Sequence, residues 1–176
     1  MSDRRDFQTP RLRLVAEPSG GLVALRIRAD DHETRAMAGA ALALQLPASP
    51  RRPARRADLI AYWTAPSAWL LAGDAAAIVA RVSGVLAGAH AAIIDISDAR
   101  TRFTIAGPAA RDLLAKGTGI DLAPTQFGAG DAALARFADL AVLLDCVSDA
   151  PLFNLIADRP ATEHLWAWLL DAAREF

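Results

Sequence analysis

The chain has 176 residues, is 53% hydrophobic and 22% charged, and carries a formal net charge of −1. That balance describes a globular protein with a proper core; it excludes a disordered segment and gives no electrostatic ground for nucleic acid or an anionic membrane as partner. The single cysteine, Cys146, excludes an internal disulfide framework and a cysteine-based zinc site.

No run approaches the ~20 apolar residues of a spanning helix. Residues 1–6 carry charge with no apolar stretch behind them, so no signal peptide is expected and the expected location is the cytoplasm. Residues 11–16 alternate Arg-Leu-Arg-Leu and read as a short edge strand, with residues 1–20 open to being an extended arm on one domain spanning 1–176. After the Pro18-Ser19-Gly20-Gly21 turn, residues 22–29 alternate again, Leu25 and Ile27 on one face, Arg26 and Arg28 on the other. Asp30 or Asp31 caps a helix in which Met37, Ala41 and Leu44 recur at helical spacing. Residues 47–57 are a proline-broken loop with Arg51, Arg52, Arg55 and Arg56. It is either an anion contact or a solvated surface loop; four arginines without aromatics are a weak nucleic-acid footprint.

Residues 59–64 and 68–72 form a hairpin about Ala65-Pro66-Ser67, and Asp74 caps a helix with Ile78, Val82, Val85 and Leu86 on one stripe, ending near Gly88. Residues 91–96 and 101–106 are two strands around a Ser97-Asp98-Ala99-Arg100 turn. Gly107-Pro108 opens a helix with Ala110, Leu113 and Leu114 as its apolar face and Gly117 as its stop. A loop over 124–130 leads to strands at 132–137, 140–146 and 152–157, and residues 160–176 form the last helix. This order implies an α+β fold, mostly antiparallel sheet with packed helices. Residues 65–72 resemble residues 150–157 in both sequence and setting, which is either chance in an alanine-rich chain or a duplicated strand–strand–helix–strands–helix unit.

Chemistry-bearing motifs are sparse. Gly128-Ala129-Gly130-Asp131-Ala132-Ala133 matches a loose dinucleotide fingerprint, with Asp149 downstream, but Ala123-Pro124-Thr125-Gln126-Phe127 is a poor strand before it, so a glycine turn is expected. His32, His90 and His164 share no helical ligand spacing, and no serine has the glycines of a nucleophile elbow. Cys146 reads as a packed strand residue. Asp95 must alternate outward or find donors, and Asp139 serves a hairpin turn. No catalytic, cofactor-binding or metal-binding residue is therefore assigned.

Asp95-Ile96-Ser97-Asp98, then Thr101-Arg102-Phe103-Thr104-Ile105, resemble a strand pair of the aminomethyltransferase (glycine-cleavage T-protein) superfamily. Gly107-Pro108-Ala109-Ala110-Arg111-Asp112-Leu113-Leu114-Ala115-Lys116-Gly117, followed by Ile120-Asp121-Leu122, resembles still more the gamma subunit of heterotetrameric sarcosine oxidase. Residues 62–71 and 165–173 extend the resemblance, which runs from residue 22 to the end. Two stretches depart from the family: Ala65-Pro66-Ser67-Ala68-Trp69 stands where it has Gly-Pro-Asp-Glu-Trp, and residues 128–135 keep only the later glycine of a Pro-Pro-Gly-Arg-Cys-Ala-Gln-Thr run. The exact N-methyl substrate is accordingly open.

The resemblance implies a fold like the T-protein folate-binding domain. It implies a non-catalytic structural subunit of a complex that demethylates sarcosine to glycine and passes the one-carbon unit to tetrahydrofolate, or of a paralogous N-methyl amine oxidase or dehydrogenase. Its partners would be alpha, beta and delta subunits, with FAD, FMN, NAD, tetrahydrofolate and zinc held by those partners and none in this chain. The alternative is a free-standing tetrahydrofolate-binding or aminomethyltransferase-like protein, with Asp139 as a substrate-side carboxylate. In the last helix, Leu165, Trp168, Leu169 and Ala172 form the face expected on the chain's own core. Trp166 and Leu170 form a second strip, which is either a broad core face or a partner surface.

Overall fold

A computed structural model describes residues 4–176. The chain opens with strands β1 (Arg5–Gln8) and β2 (Arg13–Pro18). Residues 20–97 then form one compact unit, and residues 98–176 together with residues 4–19 form another.

The 20–97 unit runs β3 (Leu22–Ile27), α1 (His32–Leu42), β4 (Ala54–Arg56), β5 (Leu59–Ala65), β6 (Ala68–Gly73), α2 (Ala75–Leu86) and β7 (Ala91–Asp95). Its sheet has the order β4-β5-β6-β3-β7, antiparallel throughout. Setting aside the short β4, this is a strand–helix–strand–strand–helix–strand array of the ferredoxin-like kind. Val23, Leu25 and Ile27 alternate onto one face with Trp69 and Leu71, where they meet Ala38 and Leu42 of α1 and Ile78 and Val82 of α2. Both helices start at aspartate caps: Asp31 accepts from the Thr34 N–H at 3.0 Å and Asp74 from the Ala77 N–H at 3.1 Å. Gly88 follows α2 at φ +80°, a conformation that glycine adopts without steric cost.

The other unit continues with β8 (Arg100–Ala106), α3 (Ala110–Ala115), β9 (Ala132–Phe137), β10 (Leu140–Ser148), β11 (Leu152–Asp158) and α4 (Thr162–Ala173). Its sheet order is β1-β2-β8-β11-β10-β9, again antiparallel. The two sheets share one plan: β8 stands for β3, β9 for β4, β10 for β5 and β11 for β6. The position that β7 fills beside β3 is filled beside β8 by β2, which comes from the start of the chain. Leu12, Leu14, Phe103, Ile105, Phe153 and Leu155 line the core beneath Leu113, Leu114, Leu165 and Leu169.

The duplicated plan is therefore present, but its sequence register is one residue away from the match of 65–72 with 150–157. That match sets Trp69 beside Asn154. In the sheets, Trp69 lies opposite Leu25 and Phe153 opposite Ile105, both pairs buried in their cores. Trp69 thus corresponds to Phe153 and Leu71 to Leu155, and a slip of one residue would turn every side chain to the wrong face.

Other expectations change in the same way. Residues 5–18, expected as an arm with a short edge strand, form two strands, and β2 is flanked on both sides by β1 and β8. Residues 91–96 and 101–106 do not pair across their turn; β7 and β8 belong to different sheets. On α1 the buried line is Thr34, Ala38 and Leu42, while Met37 is 46% exposed. On α4 the buried line is Leu165, Leu169 and Ala173. Trp166 and Trp168 flank it, both half-buried against the core, with Trp168 edge-on to Phe137 at 4.9 Å between ring centres.

Gly117 is needed for space. A Cβ placed there would lie 2.6 Å from the buried Phe137 ring, whereas one at Gly119 meets nothing within 4 Å. Gly117→Ala is expected to destabilise the fold by about 1–3 kcal/mol, in the range of core overpacking, and Gly119→Ala to leave it nearly unchanged. Urea unfolding of the two variants checks this; equal stabilities would show that Phe137 yields freely.

Candidate functional site

The Gly128–Asp131 segment is a closed turn. The Asp131 carboxylate accepts from the Gly128 N–H at 3.0 Å, and Asp149 accepts from the Ala129 N–H at 2.9 Å. The Gly130 N–H donates to the Cys146 carbonyl, and the Cys146 N–H to the Asp131 carbonyl, each at 2.8 Å. The chain leaves this turn into β9, a strand, so there is no helix N-terminus to receive a pyrophosphate. Two of the amides a phosphate would need are occupied by carboxylates, whose charge opposes an anion. The glycine-turn expectation describes this segment, and the dinucleotide fingerprint does not.

Asp139 sits at the tip of the β9–β10 hairpin, where Ala138 and Asp139 have φ +47° and +65°. Two successive positive φ values are what a tight hairpin requires, and aspartate tolerates them better than most side chains. Its side chain is 96% exposed and pairs with Arg136 at 3.0 Å. Asp95 is exposed at the end of β7. It accepts from the Ser97 hydroxyl at 2.5 Å and the Ser97 N–H at 2.9 Å, and these bonds hold its carboxyl below the ordinary aspartate range. Both aspartates shape turns.

His32 opens α1, His90 precedes β7 and His164 lies in the first turn of α4. Among the described residues no three His, Cys, Asp or Glu side chains form a group able to hold a metal. An open groove of about 560 Å³ runs along α1 past His32 and Arg35. The Arg35 guanidinium is already engaged, donating to the Leu46 carbonyl at 3.1 Å and lying 5.3 Å from the Trp69 ring centre. Among the described residues no helix is long and apolar enough to cross a membrane.

Arg111 and Asp131 carry structural duties that composition and spacing did not reveal. From α3, the Arg111 guanidinium donates to the carbonyls of Leu122 (2.5 Å) and Phe127 (2.8 Å), lies 3.8 Å from Cys146 Sγ and stacks 5.0 Å from the Phe153 ring centre. It pins the loop between α3 and β9 to the core. Burial pushes the Cys146 thiol up in pKa, partly offset by the Arg111 charge.

The sequence model of the sarcosine oxidase, gamma subunit family matches residues 26–175. The chain belongs to that family. It is 31% identical over 115 residues to the sarcosine oxidase subunit gamma of Corynebacterium sp. strain U-96, covering 65% of this chain and 56% of that protein. The subunit gamma of an Arthrobacter species is likewise 31% identical, over 118 residues. The aligned stretch thus spans little more than half the length of these curated relatives. A chain in the structure of heterotetrameric sarcosine oxidase from Corynebacterium sp. U-96, solved with pyrrole 2-carboxylate, superposes with a TM-score of 0.87 at 27% identity. That match covers 97% of this chain and 88% of the other. The glycine cleavage aminomethyltransferase T of Bartonella henselae shares the fold at a TM-score of 0.58 and 16% identity, over 85% of this chain and 43% of that one. The expected family and the T-protein-like α+β fold are both met.

An inert Cys146 follows from this geometry. Under native conditions near neutral pH, alkylation by iodoacetamide is expected to be slower than in the urea-unfolded chain by several orders of magnitude, in line with the free energy of exposing it. Comparable rates in the two states would contradict the packing described.

Proposed function

We propose that this chain is the non-catalytic gamma subunit of a heterotetrameric sarcosine oxidase or of a paralogous N-methyl amine oxidase or dehydrogenase, working in the cytoplasm beside alpha, beta and delta subunits. The observation that carries this reading is the superposition, over nearly the whole chain, on a chain of a heterotetrameric sarcosine oxidase. The distribution of polar chemistry supports it. Asp95, Asp131, Asp139 and Asp149 hold turns, and Arg111 holds a loop. None of these groups is left poised over a cleft, which is what general acid–base or nucleophilic catalysis would require. On this reading the flavin, nicotinamide, folate and zinc chemistry of the complex resides in the partners, and this subunit supplies shape and contact surface. The departures at residues 65–69 and 128–135 leave a paralogous N-methyl amine as open as sarcosine itself.

Co-expression with and without the other three subunits tests it. The chain made alone should be colourless. In the four-subunit preparation it should co-elute at fixed stoichiometry with the flavin absorbance, and sarcosine oxidation should require the other subunits. A chain that stays free of them, yet binds tetrahydrofolate at micromolar concentration by itself, would replace this reading with the free-standing folate-binding one.

A further inference from the structure

The shared plan of the two sheets exposes a difference at one edge. In an antiparallel ladder, alternate residues turn their N–H and C=O groups to one neighbour and the rest to the other side. The Arg28 N–H donates to the His90 carbonyl and the Ile96 N–H to the Leu22 carbonyl. With the register Ala24–Ile94 and Arg26–Ala92, residues 90, 92, 94 and 96 therefore face β3. The backbone groups of Ile93 and Asp95 face away from the sheet, along its open edge. In the other unit the Ser19 N–H donates to the Arg100 carbonyl, so Leu14 and Ala16 occupy the outward-facing positions on β2. There the edge is closed: Phe7 and Arg5 of β1 lie opposite Leu14 and Ala16. Leu14 lies opposite Ile105 and Ile93 opposite Leu25, so Ile93 is the counterpart of Leu14 and Asp95 of Ala16.

The 20–97 unit thus lacks a counterpart to β1. The edge carries no proline and its one charge, Asp95, stands at its end; residues 91–94 are Ala-Ala-Ile-Ile, and Ile94 is 57% exposed. The opposite edge of the same sheet, β4, is three residues long and carries Arg55 and Arg56. A second feature adjoins the head of β7. An open groove of about 590 Å³ is lined by Arg26, Arg28, Ser67 and His90. Arg28 is paired with Asp30, while Arg26 is exposed and has no ion-pair partner among the described residues. A strand added antiparallel to β7 would run from the Asp95 end toward His90, so its C-terminal side would enter this basic groove.

We propose that the edge of β7 is completed by one extended segment of a partner subunit. It pairs antiparallel with residues 91–95, sets an apolar side chain opposite Ile93 as Phe7 stands opposite Leu14, and brings an acidic group to Arg26. This rests on the subunit reading above. Among the described residues β1, which plays this part in the other unit, is already engaged on β2, so the proposal assigns the segment to a separate polypeptide.

Hydrogen exchange on the chain alone and in the co-expressed complex tests it, together with two variants assayed for co-purification. The Ile93 and Asp95 amides are expected to exchange rapidly in the free chain and to be protected in the complex. Arg26→Glu should keep the thermal midpoint of the isolated chain, because Arg26 is exposed and unpaired, and should weaken assembly about tenfold or more, as loss and reversal of a complementary charge do. Ile94→Lys, a protective edge charge, should act in the same direction. If the wild-type chain assembles while these amides stay unprotected and both variants assemble normally, the edge is not the docking site, though the subunit reading stands. If the wild-type chain joins no complex, both fall. Concentration-dependent protection of residues 91–95 in the chain alone would assign the edge to a second copy and overturn the proposal.

Discussion

The position of β2 is the constraint on which the rest of the fold depends. The segment from Asp98 to Phe176 supplies β8, α3, β9, β10, β11 and α4, and so lacks the fourth strand that a ferredoxin-like array needs beside its first. The start of the chain provides it. Leu12, Leu14 and Ala16 are 2%, 0% and 1% exposed, and fully burying a leucine contributes about 1.5–3 kcal/mol. Without them β8 would become a bare edge above an unfilled core. Because β2 pairs with β8, the whole 20–97 unit is an insertion in sequence between two strands that must meet, entered after Ser19 and left before Asp98. The closure entropy of so long an intervening segment grows only slowly with its length, and its own compact fold reduces the cost further.

The same architecture accounts for where polar chemistry lies. Both sheets turn one face to their helices, and those faces are filled by aliphatic and aromatic side chains. Aspartates gather instead at reversals: Asp31 and Asp74 at helix starts, Asp95 at the exit of β7, Asp131 in the turn before β9, Asp139 at a hairpin tip and Asp149 in the β10–β11 turn. Each of these carboxylates accepts a hydrogen bond from a nearby donor. A subunit built in this manner offers its surroundings edges and faces, which suits membership of a family named for one subunit of a multi-subunit enzyme.

Much of the secondary structure was legible because its signals are local. Period-two alternation marked β3, the aspartate caps marked α1 and α2, and Gly107-Pro108 marked the entry to α3. Partner choice was not legible, because it is long-range. The strands at 91–95 and 100–106 follow one another closely and look like a hairpin, yet β7 joins β3 and β8 joins β2 and β11. The start of the chain read as a short edge strand on an arm, since nothing local reveals that a core elsewhere lacks a strand. The faces of α1 and α4 were off by small rotations for a physical reason: alanine-rich helices such as Arg35-Ala36-Met37-Ala38 present several nearly equivalent apolar stripes, and only packing selects Ala38 over Met37. The Gly128–Asp131 segment and Asp139 were legible as turns, because Ala123-Pro124-Thr125-Gln126-Phe127 is a poor strand ahead of the glycines and Asp139 stands between two apolar strands.

The dependence of the 98–176 segment on the first strands is open to one direct measurement. In the β2–β8 ladder the amides of Arg102 and Thr104 point at Glu17 and Val15. Deleting residues 1–19 should abolish the cooperative unfolding transition of this segment and the slow hydrogen exchange of those two amides. A synthetic peptide spanning residues 4–19 should restore both. A truncated chain that keeps the same transition and the same protected amides would contradict the claim that the start of the chain completes the second sheet.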